Sequence, residues 1–141
     1  SRIAFMATIN LETFLKEVGK KAGVEFKPFG MGVFKTEIAV GKGRFQGVSV
    51  QTTSSMVFPD KSVALVWSVV GKQASDTNYV ELLERNRKMS YAKTALWDGN
   101  IVVMAQVLLD FTNFDEMNRI LGEVAVFADI LEEEFFGSDK F

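Results

Sequence analysis

Two apolar-rich runs, residues 91–97 and 101–109, flank Asp98-Gly99-Asn100. Asp-Gly between such runs is a strong short-range hairpin signal, because a type I′ turn needs φ > 0 at both central residues. The second run, Ile101-Val102-Val103-Met104-Ala105-Gln106-Val107-Leu108-Leu109, is apolar on both alternating faces. A strand of that kind belongs inside a sheet, covered on both sides, or on one side by a partner chain. The sheet is therefore expected to be built around it, with a long C-terminal helix laid against it.

The remaining elements follow from periodicity. Leu11, Phe14, Leu15, Val18 and Ala22 recur at helical spacing, which predicts a helix over 11–22, capped by Asn10 and stopped by Gly23. Residues 24–26 form a short strand candidate, and Pro28-Phe29-Gly30-Met31-Gly32 a turn or bulge. Strands are expected over 33–40, 44–53 and 62–71, joined by Gly41-Lys42-Gly43 and by a loop turning at Pro59-Asp60. The Gly-Lys-Gly turn joins two strands and lacks the spacing of a phosphate loop. Lys20 and Lys21 suit the end of the first helix and read as a solvated helix end rather than an anion site.

A second helix is expected over 78–89, capped by Asp76 or Thr77. Asn86 interrupts its apolar face and is expected to tie down a neighbouring loop or helix end through its amide. Met117, Ile120, Leu121, Val124, Phe127, Ala128, Leu131 and Phe135 form one stripe, so the last helix should run over 114–136 from a Thr112 or Asn113 cap. At ~1.5 Å per residue it reaches about 35 Å, enough to cross a sheet. Glu132-Glu133-Glu134 face different ways around a helix, which favours a solvated face over a metal or acid–base cluster. Their charge opposes the dipole at that end, so the helix should fray unless Phe135 and Phe136 are packed.

The chain of 141 residues carries a net charge of −2 and has neither cysteine nor histidine. Without them it has no disulfide, no thiolate metal site, no thiol nucleophile, and neither the commonest metal ligand nor the commonest general base. A cofactor and a metal are not expected, and the chain reads as a non-enzyme. Carboxylates such as Glu37, Asp98 and Asp110 show no spacing that would make them converge. No basic stripe points to nucleic acid, and no run approaches the roughly 18 apolar residues of a membrane span. The expectation is a single cytoplasmic domain with no membrane partner. Met6-Ala7-Thr8 resembles a natural start, which makes residues 1–5 either an appended remnant or a native extension. Residues 138–141 read as a loose tail.

The order of elements, the run Leu82-Leu83-Glu84-Arg85-Asn86-Arg87-Lys88-Met89, Ala92 to Leu96, Asp98-Gly99, the apolar strand and the final amphipathic helix together resemble the YbjN group of bacterial proteins. That group looks like the class I type III secretion chaperones. The resemblance covers roughly residues 11–136. It implies an α+β sandwich in the order α-β-β-β-α-β-β-α, an antiparallel sheet packed by helices. Secretion chaperones are small, acidic, cytoplasmic homodimers that hold an extended segment of a partner protein. The resemblance carries no catalytic residues.

The expected function is a non-enzymatic, chaperone-like or regulatory interaction module, a homodimer that binds a protein or peptide client by strand addition and apolar pockets. Candidate contact residues are Phe29 with Met31, Met56 with Phe58, Trp97 beside the hairpin turn, and Trp67, for which burial in the core is favoured. A small-molecule carrier or sensor is the alternative. It requires a closed cavity between the sheet and the long helix, whereas a packed interior with an exposed apolar groove favours peptide binding.

Overall fold

The computed structural model describes residues 10–137; the expectations for residues 1–5, a remnant or a native extension, and for a tail at 138–141 fall outside the described residues. The chain begins with α1 (Leu11–Ala22), whose Asn10 side chain accepts from the Thr13 N–H. Gly23 ends it in the left-handed region at φ 71°. Next come β1 (Lys27–Pro28), β2 (Phe34–Gly41), β3 (Arg44–Ser54) and β4 (Ser62–Lys72). α2 (Tyr79–Arg85) runs into a 3₁₀ turn (Asn86–Lys88), followed by β5 (Lys93–Trp97) and β6 (Asn100–Leu108). A second 3₁₀ turn (Leu109–Phe111) leads to α3 (Phe114–Phe136). This is the expected α+β architecture.

One sheet holds all six strands in the order β1-β2-β3-β4-β6-β5, with every neighbour antiparallel. The β5–β6 hairpin forms as expected: Asp98 and Gly99 both have positive φ, 51° and 77°, and β6 lies inside the sheet between β4 and β5.

α3 lies across β2, β3, β4 and β6. Met117, Ile120, Leu121, Val124, Ala125, Ala128 and Leu131 are buried against Val48, Val50, Ala64, Val66, Val103 and Ala105. α1 packs on α3, with the Phe14 and Phe114 rings 5.2 Å apart. The interior between sheet and helices is filled rather than hollow, since most of these side chains are fully buried. The end of α3 stays wound despite its three glutamates. Phe136 lies over Gly71, and Arg85 pairs with Glu134.

Four boundaries differ from expectation. The short strand at 24–26 is displaced to Lys27–Pro28, because the Val24 N–H is still bonded to the Gly19 carbonyl at the end of α1. The second helix narrows to a 3₁₀ turn at Asn86, whose side-chain oxygen accepts from both the N–H and the hydroxyl of Thr94. That amide does tie down a neighbouring segment. The helix is capped by Asn78, which accepts from the Glu81 N–H; Thr77 instead accepts from Ala74. β5 starts at Lys93 rather than Tyr91, because the N–H groups of Ser90, Tyr91 and Ala92 all point at the Glu123 carboxylate of α3.

Candidate partner-binding site

The sheet leaves its two margins in different states. β1 pairs with β2 only through Lys27↔Lys35 and Pro28↔Phe34. Residues 36–41 therefore have no strand on their outer side among the described residues. The chain from α1 to β1 passes nearby without joining the ladder. Gly19 permits that close passage, since a Cβ there would lie 2.5 Å from the Val24 carbonyl oxygen.

Two concavities lie near β2, one at Phe34 and one along Lys35–Ala39. On the helix side, a groove of about 700 Å³ is lined by Leu15, Val24, Phe26, Pro28 and Phe34, with Glu12, Lys16 and Lys20 at its rim. On the other side, a cleft of about 750 Å³ is lined by residues 22–25 of the connection and by Lys35, Glu37, Ala39 and Phe45. Successive residues of a strand point to opposite faces. A segment laid along 36–41 would therefore turn alternate side chains toward the mixed-charge cleft, with the apolar groove beyond its Phe34 end. Both concavities are open to solvent and neither is a closed cavity.

The other margin is β5. Its helix-side neighbour α2 exposes Val80 and Leu83, each 66% accessible, and β5 itself exposes Leu96. On the face away from the helices, Trp97 meets Trp67 edge-on with centroids 4.9 Å apart, and Val69 is 45% accessible. β6 is thus covered on one face by α3, while its other face carries no helix among the described residues.

Polar groups near these surfaces are mostly structural. Arg44 bonds Asp129 on α3, and that hydrogen bond, reinforced by the carboxylate charge, raises the guanidinium pKa. Its hydrogen bonds to Glu134 and Glu81 likewise raise that of Arg85. Gln46 is buried on the helix side of β3 and donates to Ser68, which donates to the Gly47 carbonyl. Glu132 lies above it, and its carboxyl is pushed up chiefly by burial, then by the Asp129 charge. Asp98 and Asp110 sit at opposite ends of β6, and Glu37 lines the mixed cleft with Glu25, Lys27 and Lys35. No group of three His, Cys, Asp or Glu side chains among the described residues could hold a metal ion.

The residues singled out from sequence fall into two places. Phe29, Met31, Met56 and Phe58 are exposed and lie at the same end of the sheet, on the β1–β2 turn and the β3–β4 loop. Trp97 is partly buried at the opposite end, against Trp67, which is also only partly buried. The groove residues Leu15, Val24, Phe26 and Phe34 were not foreseen as a set. Leu15 reads in sequence as core, and only the meeting of α1 with β2 makes it a groove wall. The available signal was Gly19, a glycine within the helical stretch where a backbone must approach.

The layered arrangement is the fold of the type III secretion chaperones. The chain is similar to the Yersinia pestis type III secretion chaperone SycH, solved in complex with a stable fragment of YscM2, at a TM-score of 0.60 and 15% identity, over 86% of this chain and 99% of that one. It is also similar to a structure of the HopA1–SchA chaperone–effector complex, at a TM-score of 0.58 and 6% identity, over 89% of this chain and 99% of that one. No family model matches the chain, and no curated protein matches it.

Proposed function

We propose that this protein is a non-enzymatic, chaperone-like interaction module, akin to the YbjN group, that binds an extended segment of a partner protein along the outer margin of β2. The observation that carries the reading is the short β1. It leaves residues 36–41 without a strand on their outer side, bordered by the mixed-charge cleft, with the apolar groove at the β1 end of the same margin. Strand addition supplies main-chain hydrogen bonds, and alternate side chains supply specificity. One similar structure is a complex with a stable fragment of YscM2 and the other a chaperone–effector complex, which supports a protein client. The filled interior favours this reading over a small-molecule carrier.

The second margin supports a homodimer. β5 is a free edge with apolar side chains on both flanks, Val80, Leu83 and Leu96 on one and Trp97, Trp67 and Val69 on the other. Such an edge invites pairing with another chain unless covered, and a second copy is the common cover. The client margin and the dimer margin lie on opposite sides of the sheet, so each copy retains its own site. The cytoplasm is the compartment that fits this role.

The test is selection of a random peptide library on the wild-type protein and on Phe26→Ser. Enriched peptides are expected to alternate apolar residues, to lose binding when alternate backbone nitrogens are methylated, and to bind Phe26→Ser poorly. Peptides that bind both proteins equally, or that tolerate methylation, would refute the site. Light scattering checks the dimer, with an expected mass of about twice 15.7 kDa; a monomer would refute that part alone.

A further inference from the structure

We propose that the cleft beside β2 selects its client by the order of charges along it. The bound segment runs antiparallel to β2, like every other neighbour in the sheet. At every second position it carries a large apolar side chain beside Ala39, a basic one beside Glu37 and an acidic one at Lys35. Such selection presupposes the client site proposed above on the β2 margin.

Lys35, Glu37 and Ala39 alternate with the core-facing Phe34, Thr36 and Ile38, so all three lie on the face away from the helices, where they line the cleft. The Phe29 N–H bonds the Val33 carbonyl across the β1–β2 turn. Outward-pointing backbone groups therefore belong to every second residue counted from Val33, and along the open stretch these include Glu37 and Ala39. A client residue opposite either one can exchange both backbone bonds with it, at ~5.5 Å between Cα atoms. Its side chain is then held on the cleft face.

β1 and the connection before it bring like charges to this face. Lys27 lies directly opposite Lys35, an arrangement that is destabilising in a sheet. The same register carried two residues further would set Glu25 opposite Glu37, and the ladder stops short of it. All four side chains are exposed and line the cleft. None has an opposite charge within 4 Å among the described residues. Charges elsewhere are paired, as Glu12 is with Lys16, Arg44 with Asp129 and Lys61 with Asp110. The Lys35 ammonium instead lies over the Phe29 ring at 3.9 Å. Glu37 leans over Gly47, its Oε1 3.7 Å from where a Cβ would stand, so no side chain covers it from that position.

The two like-charged pairs are opposite in sign, so a client of one sign would satisfy one pair and repel the other. A base at Glu25 and Glu37, followed two residues on by an acid where the segment lifts off the ladder at β1, satisfies both. Ala39 pairs with Phe45. Its small side chain leaves that ring, 63% accessible, open to an apolar residue of the client.

The experiment compares two labelled peptides of equal composition, Thr-Leu-Val-Lys-Val-Glu-Thr and Thr-Leu-Val-Glu-Val-Lys-Thr, by fluorescence anisotropy. The first is expected to bind about tenfold more tightly, with the gap narrowing as salt is raised. The variant Glu25→Lys, Lys27→Glu, Lys35→Glu, Glu37→Lys keeps the net charge and inverts the cleft. It should prefer the second peptide, and its thermal unfolding should match the wild type because all four side chains are exposed. Equal binding of both peptides to the wild type, lost on methylation of alternate backbone nitrogens, would overturn charge selection and leave the β2 margin standing. A preference that survives inversion of the cleft would overturn it as well. Binding of neither peptide would overturn the client margin and the selection together.

Discussion

Removing the Glu123 carboxylate should loosen the β5 margin before the rest of the fold. Oε1 accepts from the N–H groups of Tyr91 and Ala92 at 2.6 and 2.8 Å, and Oε2 accepts from Ser90 at 2.8 Å. Ser90 and Tyr91 are exposed and can turn to water, whereas Ala92 is 6% accessible. In Glu123→Ala the buried N–H loses a charged acceptor at a cost of about 1–3 kcal/mol, and the two exposed ones lose about 0.5–1 kcal/mol each after rehydration. The sum is about 3 kcal/mol. Total stability for such a domain is about 5–15 kcal/mol, so urea unfolding should shift clearly. Glu123→Gln keeps one acceptor oxygen, which can serve Tyr91 and Ala92, but turns an amide donor toward Ser90. It should lose roughly half as much. Hydrogen exchange should show early loss of protection at residues 90–97 in the alanine variant, with β3 and β4 unchanged. An alanine variant within about 0.5 kcal/mol of wild type, or uniform loss of protection, would refute the reasoning.

Gly99→Val should lower thermal stability, because a β-branched residue at φ 77° is strongly disfavoured; an unchanged midpoint would contradict the I′ turn. Gly19→Ala should destabilise although alanine favours a helix by about 1 kcal/mol. Its Cβ would meet the Val24 carbonyl oxygen at 2.5 Å, and calorimetry would show a lower midpoint. Gly71→Ala should expel the Phe136 ring, whose atoms lie 2.5 Å from the would-be Cβ; in a Phe136→Ala background the same substitution should cost little. The Glu132 carboxyl is raised mainly by burial. The unfolded chain therefore ionises it first, and stability falls as pH rises from its ordinary value through the raised one. Glu132→Gln should match wild type in acid and exceed it at neutral pH in urea unfolding.

Much of the fold was legible because its strongest signals are local. Asp98-Gly99 specifies a turn within two residues, and the apolar stripe of α3 repeats through the whole helix. What escaped was set by distant partners. Asn86 ends α2 early because Thr94 claims its oxygen, and Glu123 delays β5 from 31 residues away in sequence. The pairing of β1 was hidden for the same reason, since a two-residue strand has no period to detect. The candidate site divides likewise. Phe29, Met31, Met56 and Phe58 stood out because bulky apolar residues beside turn formers are conspicuous, and they proved exposed. The groove of Leu15, Val24, Phe26 and Phe34 could not be read, because its walls come from a helix, a connection and a strand that meet only on folding.

The brevity of β1 also sets a ruler. Antiparallel pairing at Lys27 and Pro28 occupies the first positions of β2, and Gly41-Lys42-Gly43 turns the chain away at the other end with φ of 110°, 53° and 75°. Between these two stops lies a berth of about six backbone positions, roughly 20 Å of extended chain. A longer tract could dock only by leaving its ends outside or by displacing β1, whose Pro28 has no N–H to hold it in the ladder. The margin should thus discriminate by length as well as by sequence. Short apolar tracts would fit, and long uniform strands of the kind that seed open-ended aggregation would be turned away.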